Sequence, residues 1–197
     1  MRNLYPHRIW KKDTEGKKIL YLTFDDGPHE TATLYALDQL KQYNAKATFF
    51  CIGKNVMEYP EIYQKILDEG HSVGNHTYNH LNGWKTDTDI YLKNIREAQK
   101  IISSNLFRPP YGRMKREQEK VLLKSSPDYK IIMWDVLSGD FDKNITGEKC
   151  RENILKNAEN GSVIVFHDSE KAFERMKYAL PETLLYFSGK GFVFERL

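Results

Sequence analysis

Residues 18–28 read KILYLTFDDGP, and the fold turns on how their first seven positions are understood. KILYLTF is a short, near-continuous apolar run rich in strand-forming residues, the pattern of a strand buried on both faces of a parallel sheet. It ends in two carboxylates, Asp25 and Asp26, as a buried strand does when its far end opens into a site. Further runs of the same kind occur at 46–52, 71–74, 105–108, 129–134, 161–166 and 191–195. Between them, stretches at about 31–43, 57–69, 86–104, 114–126, 147–158 and 171–187 carry apolar residues three and four apart, as in Leu34, Leu37 and Leu40 or in Ile90, Ile95, Ala98 and Ile102. Gly70, Gly161 and Gly191 stand as helix stops just ahead of a strand. Short strands alternating with helices predict a single α/β domain built on parallel strands. Residues 1–17 form an N-terminal extension to a domain over 18–197.

The 197 residues are 40% hydrophobic and 29% charged, an ordinary globular composition that argues against disorder. No segment approaches the roughly 18 unbroken apolar residues of a membrane helix, so no span is expected. Lysines and arginines are spread along the chain and the formal charge is only +3, which gives nucleic acid little to bind. Cys51 and Cys150 are too few to make a disulfide framework and are expected as free, buried thiols. Residues 1–20 lack the apolar core and small-residue cleavage site of a secretory signal, so the default expectation is the cytoplasm unless the chain has been trimmed.

Ligands in parallel α/β folds sit beyond the carboxyl ends of strands, so the polar residues after each run carry the functional information. They are Asp25 and Asp26, then His76 and His80, then Arg108 to Gly112, then Asp135 to Asp140, then His167 and Asp168. HTYNH at 76–80 places two imidazoles four apart, and on a helical turn such residues face one way, close enough to share an ion. Alone the pair is a weak signal. An acidic residue from another strand end completes two histidines and one carboxylate, the set that holds catalytic zinc and related divalent ions. In TFDDGP one aspartate can bind metal while its neighbour takes a proton, with Gly27-Pro28 making the turn.

Taken together, TFDDGP, HTYNH, RPPYG and the VFHD segment resemble the polysaccharide deacetylase family, the carbohydrate esterase group with a NodB-type deacetylase domain. The resemblance runs from about residue 18 to 195, in family order. It implies a distorted (β/α) barrel of about seven parallel strands. It implies that Asp26, His76 and His80 bind a divalent metal, zinc first, with cobalt, nickel and iron as alternatives. Asp25 then resembles the general base, Arg108 its partner, and the Tyr111 amide a donor to the oxyanion; Pro109 and Pro110 before it have no N–H to offer. His167 resembles the acid that protonates the departing amine. The fifth motif departs from the frequent family form WDVDSxDW, reading WDVLSGDF at 134–141: Leu137 replaces an acid and Phe141 a tryptophan. The resemblance favours Asp140 as the carboxylate orienting His167, with Asp135 as the alternative. Pro110, Trp134, Phe141 and Trp84 are the expected substrate-lining residues, Tyr78 is a weaker candidate, and Asp168 is read as a helix cap.

The implied function is metal-dependent removal of acetyl from an N-acetylated sugar of a polysaccharide or oligosaccharide, by a monomer whose partner is the acetylated carbohydrate. A small-molecule amidase or imidase and an O-acetyl xylan esterase are the enzymatic alternatives; a carbohydrate-binding pseudoenzyme is the non-enzymatic one.

Overall fold

The computed structural model describes residues 5–197. In chain order the elements are β1 (Arg8–Ile9), β2 (Ile19–Asp25), α1 (Ala32–Gln42), β3 (Ala47–Cys51), α2 (Gly53–Glu58), α3 (Pro60–Asp68), β4 (Ser72–Asn75), α4 (Thr88–Gln99), β5 (Leu106–Phe107), α5 (Arg116–Ser125), β6 (Lys130–Ile132), β7 (Val136–Leu137), α6 (Gly147–Asn157), β8 (Val163–His167), α7 (Phe173–Gly189) and β9 (Val193–Phe194). The strands lie in the order β1, β6, β5, β4, β3, β2, β8, β7, and β9 pairs with the start of β2. Every strand pair is parallel. The fold is therefore the expected α/β class, a curled parallel sheet wrapped as a half-barrel.

Connectivity makes the curl unavoidable. β6 and β7 stand six strand spacings apart in the sheet, about 29 Å if it were flat. Only residues 133–135 join them, and four residue steps reach at most about 14 Å. The run expected at 129–134 thus leaves the sheet at Met133 and rejoins it on the far edge as β7. The Asp135 carboxylate fixes the rejoining point by accepting from the Val163 amide at 2.7 Å and the Ser162 hydroxyl at 2.9 Å. β1 is the other strand that periodicity did not register; two residues are too few to show alternation, and Arg8 and Ile9 are placed by pairing with Ile131 and Ile132.

β2 is buried along almost its whole length, as its composition predicts. Leu20, Leu22 and Phe24 pack outward against the helices, with Phe24 stacked between Phe49 and Phe166 at centroid distances of 4.8 and 5.8 Å. The period of two then turns Tyr21, Thr23 and Asp25 toward the barrel interior, where Phe50, Leu106, Ile132 and Val163 fill the space around Tyr21. In α4 the buried residues are Tyr91, Leu92, Asn94, Ile95 and Ala98, and Ile90, expected on the apolar face, is 59% exposed instead. Cys51 and Cys150 are free and buried. Among the described residues no helix is long and apolar enough to cross a membrane.

Because Phe24 joins the stack to both neighbouring strands, Phe24→Ala is expected to destabilise the fold by about 3–5 kcal/mol in denaturant unfolding. A loss below 1 kcal/mol would mean that the stack contributes little.

Candidate active site

Asp25 closes β2, and its register partners are Phe50 on β3 and His167 on β8, so the parallel sheet itself brings the base and acid candidates side by side. The Asp25 carboxylate is buried. Its Oδ1 accepts from Arg108 Nη1 at 2.7 Å, and Oδ2 lies 4.0 Å from His76 Nε2. Arg108 is wholly buried: Nη1 also donates to Thr23 Oγ1, Nη2 to the Met133 carbonyl and Nε to the Ile132 carbonyl. Its guanidinium lies 4.1 Å from the Phe50 ring centroid and 5.7 Å from that of Trp134.

Asp26, His76 and His80 offer ligand atoms that all lie within 4.8 Å of one another. His80 Nε2 is 3.1 Å and His76 Nε2 3.7 Å from Asp26 Oδ1, an oxygen that is buried with no aligned hydrogen-bond donor among the described residues. An orphaned carboxylate oxygen facing two imidazole nitrogens is the donor set that suits a divalent cation. The His76 Nδ1–H donates to the Arg108 carbonyl at 2.7 Å, which directs the Nε2 lone pair toward Asp26. Burial lowers the His76 pKa to about 4, keeping the ring neutral as a ligand must be. Burial pushes the Asp26 carboxyl up, but His80, His167 and His76 outweigh it and hold the group well below the usual carboxylate range.

The histidine pair converges by a different route from the helical turn expected. Residues 76–80 form a non-helical loop in which Thr77 and His80 have φ of 65° and 57°. The ring centroids nevertheless lie 5.1 Å apart. Asparagines shape this loop: Asn75 Oδ1 accepts from the Thr77 amide, while Asn94 Oδ1 accepts from the amides of Tyr78 and Asn79. Neither was singled out from the sequence, though Asn94, a polar residue at a position of the buried stripe of α4, carries a legible signal. Asp26 has φ 85°, and the Asn55 side chain holds its carbonyl at 2.7 Å.

On the opposite wall, Asp140 Oδ1 lies 2.7 Å from His167 Nδ1 and its Oδ2 accepts from the His167 amide at 2.7 Å. Asp135, the alternative partner, is committed to Ser162 and Val163 instead. Burial lowers the His167 pKa, but Asp140, Asp26 and Asp25 together raise it to about 9. The Phe141 ring sits 5.3 Å from the His167 ring and the Tyr111 ring 4.7 Å from that of His80. Tyr111 has φ 60°. Its amide has no acceptor among the described residues, whereas the next two amides donate to Pro109 and Pro110. Pro110 is buried beneath this loop, Trp134 packs into the interior, and Trp84 is exposed on a neighbouring turn. Tyr78 packs against the core.

Asp168 does more than the capping expected of it. Fully buried, it accepts from the Gly27 amide at 3.0 Å and from the Thr33 hydroxyl at 2.5 Å, tying the end of β8 to the turn that carries Asp26. A Cβ on Gly27 would meet Asp168 Oδ2 at 2.0 Å. Gly27→Ala is therefore expected to displace this turn and weaken divalent-ion binding at least tenfold in calorimetric titration. Unchanged affinity would show that the turn is not held by Asp168.

The family model described as polysaccharide deacetylase matches residues 12–126. A peptidoglycan-N-acetylglucosamine deacetylase of Bacillus cereus is 38% identical over 159 residues, covering 78% of this chain and 57% of the relative. A second protein of that description from the same species is 33% identical over 184 residues, covering 90% of this chain and 85% of the relative. The chain thus spans little more than half of one of these relatives and most of the other. A crystal structure of a peptidoglycan N-acetylglucosamine deacetylase in complex with 4-naphthalen-1-yl-N-oxidanyl-benzamide superposes with a TM-score of 0.90 at 33% identity, covering 97% of this chain and 91% of that one. The fold alone is shared with a pseudoenzyme of carbohydrate esterase family 4 from Bacillus anthracis, at 22% identity and a TM-score of 0.82, covering 96% and 67% of the two chains. With the motifs gathered at one end of the curled sheet and the family match extending over more than half its length, the chain belongs to the polysaccharide deacetylase family.

Proposed function

We infer that this protein is a metal-dependent hydrolase that removes acetyl from an N-acetylated sugar in a polysaccharide or oligosaccharide of peptidoglycan or chitooligosaccharide type. The observation that carries this reading is the meeting of Asp26, His76 and His80 within 4.8 Å, flanked by Asp25 on one side and the His167–Asp140 pair on the other. The names of the relatives support the sugar amide as substrate. Because the fold is also that of a pseudoenzyme, the reading rests on the side chains and not on the fold.

Asp26, His76 and His80 would hold a divalent cation, zinc first and cobalt, nickel or iron next, which would supply Lewis-acid charge and lower the pKa of water. Asp25, held through one oxygen by Arg108, keeps its second oxygen for the proton of the attacking water. The unpaired Tyr111 amide is the donor for the developing oxyanion, a contribution typically worth about 3–4 kcal/mol. His167 then gives its proton to the departing amine, and Asp140 keeps that imidazole both oriented and protonated. Phe141 and Tyr111 flank the cleft as apolar walls for acetyl and sugar.

Protein supplied with zinc or cobalt is expected to release acetate from N-acetylated chitooligosaccharides or peptidoglycan fragments. Chelation should abolish release, re-addition of the ion should restore it, and Asp25→Asn should lower it by about 10²–10⁴-fold. Acetate from acetylated xylan alone would move the assignment to an esterase, and none from any substrate would defeat it. The Asp140 carboxylate raises the His167 pKa and favours its acid form, which is lost as pH rises, so activity should fall on the alkaline side. Asp140→Asn removes the charge that raises this pKa, and the alkaline limb of the pH–rate profile should begin at lower pH; an unshifted limb would exclude His167 as the proton donor.

A further inference from the structure

We propose that Trp84, backed by Arg113, forms an outer subsite on which a pyranose ring of a longer glycan stacks, away from the reacting sugar. The inference rests on the deacetylase reading above and names how far along the chain of sugars the protein reads.

Trp84 is 56% exposed and sits in a single 3-10 turn, Gly83–Lys85, in the loop between β4 and α4. That loop leaves the carboxyl end of β4, the same end of the sheet that carries the metal-ligating histidines. The Arg113 guanidinium lies over one face of the indole, 5.0 Å from its centroid. The indole N–H makes no hydrogen bond among the described residues, so it is available to a sugar hydroxyl.

Isolated exposed aromatics are ordinary, and what distinguishes this one is rigid support. The Gly83 amide donates to the Arg113 carbonyl, Asn82 Oδ1 accepts from the Trp84 amide, and the buried Gln118 amide donates to the Gly83 carbonyl. A Cβ on Gly83 would meet the Arg113 carbonyl at 2.5 Å. The loop of Trp84 and the loop of Tyr111 are thereby locked together. Trp84 follows His80 by four residues and Arg113 follows Tyr111 by two, so roughly 14 and 7 Å of extended chain are the most that separate them. An exposed aromatic side chain on a backbone turn already fixed by these bonds, on the same rim as the candidate site, suits a flat sugar ring, because stacking there orders no loop on binding.

The test uses Asp25→Asn protein loaded with zinc and titrated calorimetrically with tetra-N-acetylchitotetraose and N,N′-diacetylchitobiose. Adding Trp84→Ala should weaken tetrasaccharide binding about tenfold and leave the disaccharide unchanged, while Trp84→Phe should retain most of the affinity. In the otherwise unaltered enzyme, Trp84→Ala should raise KM for the tetrasaccharide with kcat unchanged. Should Trp84→Ala fail to fold, Arg113→Gln is expected to give the same length-selective loss. Unchanged tetrasaccharide affinity, equal losses on both ligands, or no tetrasaccharide binding at all would overturn the subsite. Acetate release from the disaccharide by unaltered protein tests the deacetylase reading separately, since it does not involve Trp84.

Discussion

The buried ion pair between Arg108 and Asp25 is the constraint on which the rest of the structure depends. Moving both charges out of water costs several kcal/mol per ion unless the remaining hydrogen-bonding capacity is met. Here it is met from three directions. The guanidinium reaches Asp25 and Thr23 on β2 and the carbonyls of Ile132 and Met133 where the chain leaves β6, and its own carbonyl receives the His76 imidazole. One side chain thus links the central strand to the chain that closes the half-barrel, while the backbone carbonyl of the same residue holds His76. The base is oriented by the same group that stabilises the interior, so catalytic geometry and fold stability are coupled through it.

Backbone strain is concentrated where that geometry is set. Of the six described non-glycine residues with positive φ, four are Asp26, Thr77, His80 and Tyr111. Such conformations cost of order 1–3 kcal/mol each and persist only where their surroundings impose them. At Asp26 and in the loop of Thr77 and His80 the side chains of Asn55, Asn75, Asn94 and Asp168 do the imposing, through bonds to backbone groups in or next to the strained turns. Preorganisation of this kind brings the Asp26, His76 and His80 ligand atoms together through the protein's own bonds.

The site was largely legible in the sequence because parallel α/β architecture sends the carboxyl ends of all strands to one side. Asp25, Asp26, His76, His80, Arg108, Tyr111, Asp140 and His167 all follow apolar runs, and the structure brings them together. The polar supports were not legible to the same degree. Asp168 has the sequence of an ordinary helix cap, Asn75 gains meaning only from the amide it meets, and Asn94 shows only as a polar residue on an apolar stripe. The helical reading of HTYNH arrived at the right proximity through the wrong backbone, since spacing alone cannot distinguish a helical turn from a loop bent by left-handed residues.

The sequence by itself determined the alternation of strands and helices, the burial of β2 and which polar residues stand at strand ends, because these follow from periodicity and local chemistry. Only the tertiary structure decided that β6 and β7 lie at far positions of one curled sheet, that Asp140 and not Asp135 meets His167, and that Ile90 faces solvent while Asn94 faces inward. Those outcomes depend on contacts between residues distant in the chain, and no local pattern encodes which carboxylate a folded imidazole will find.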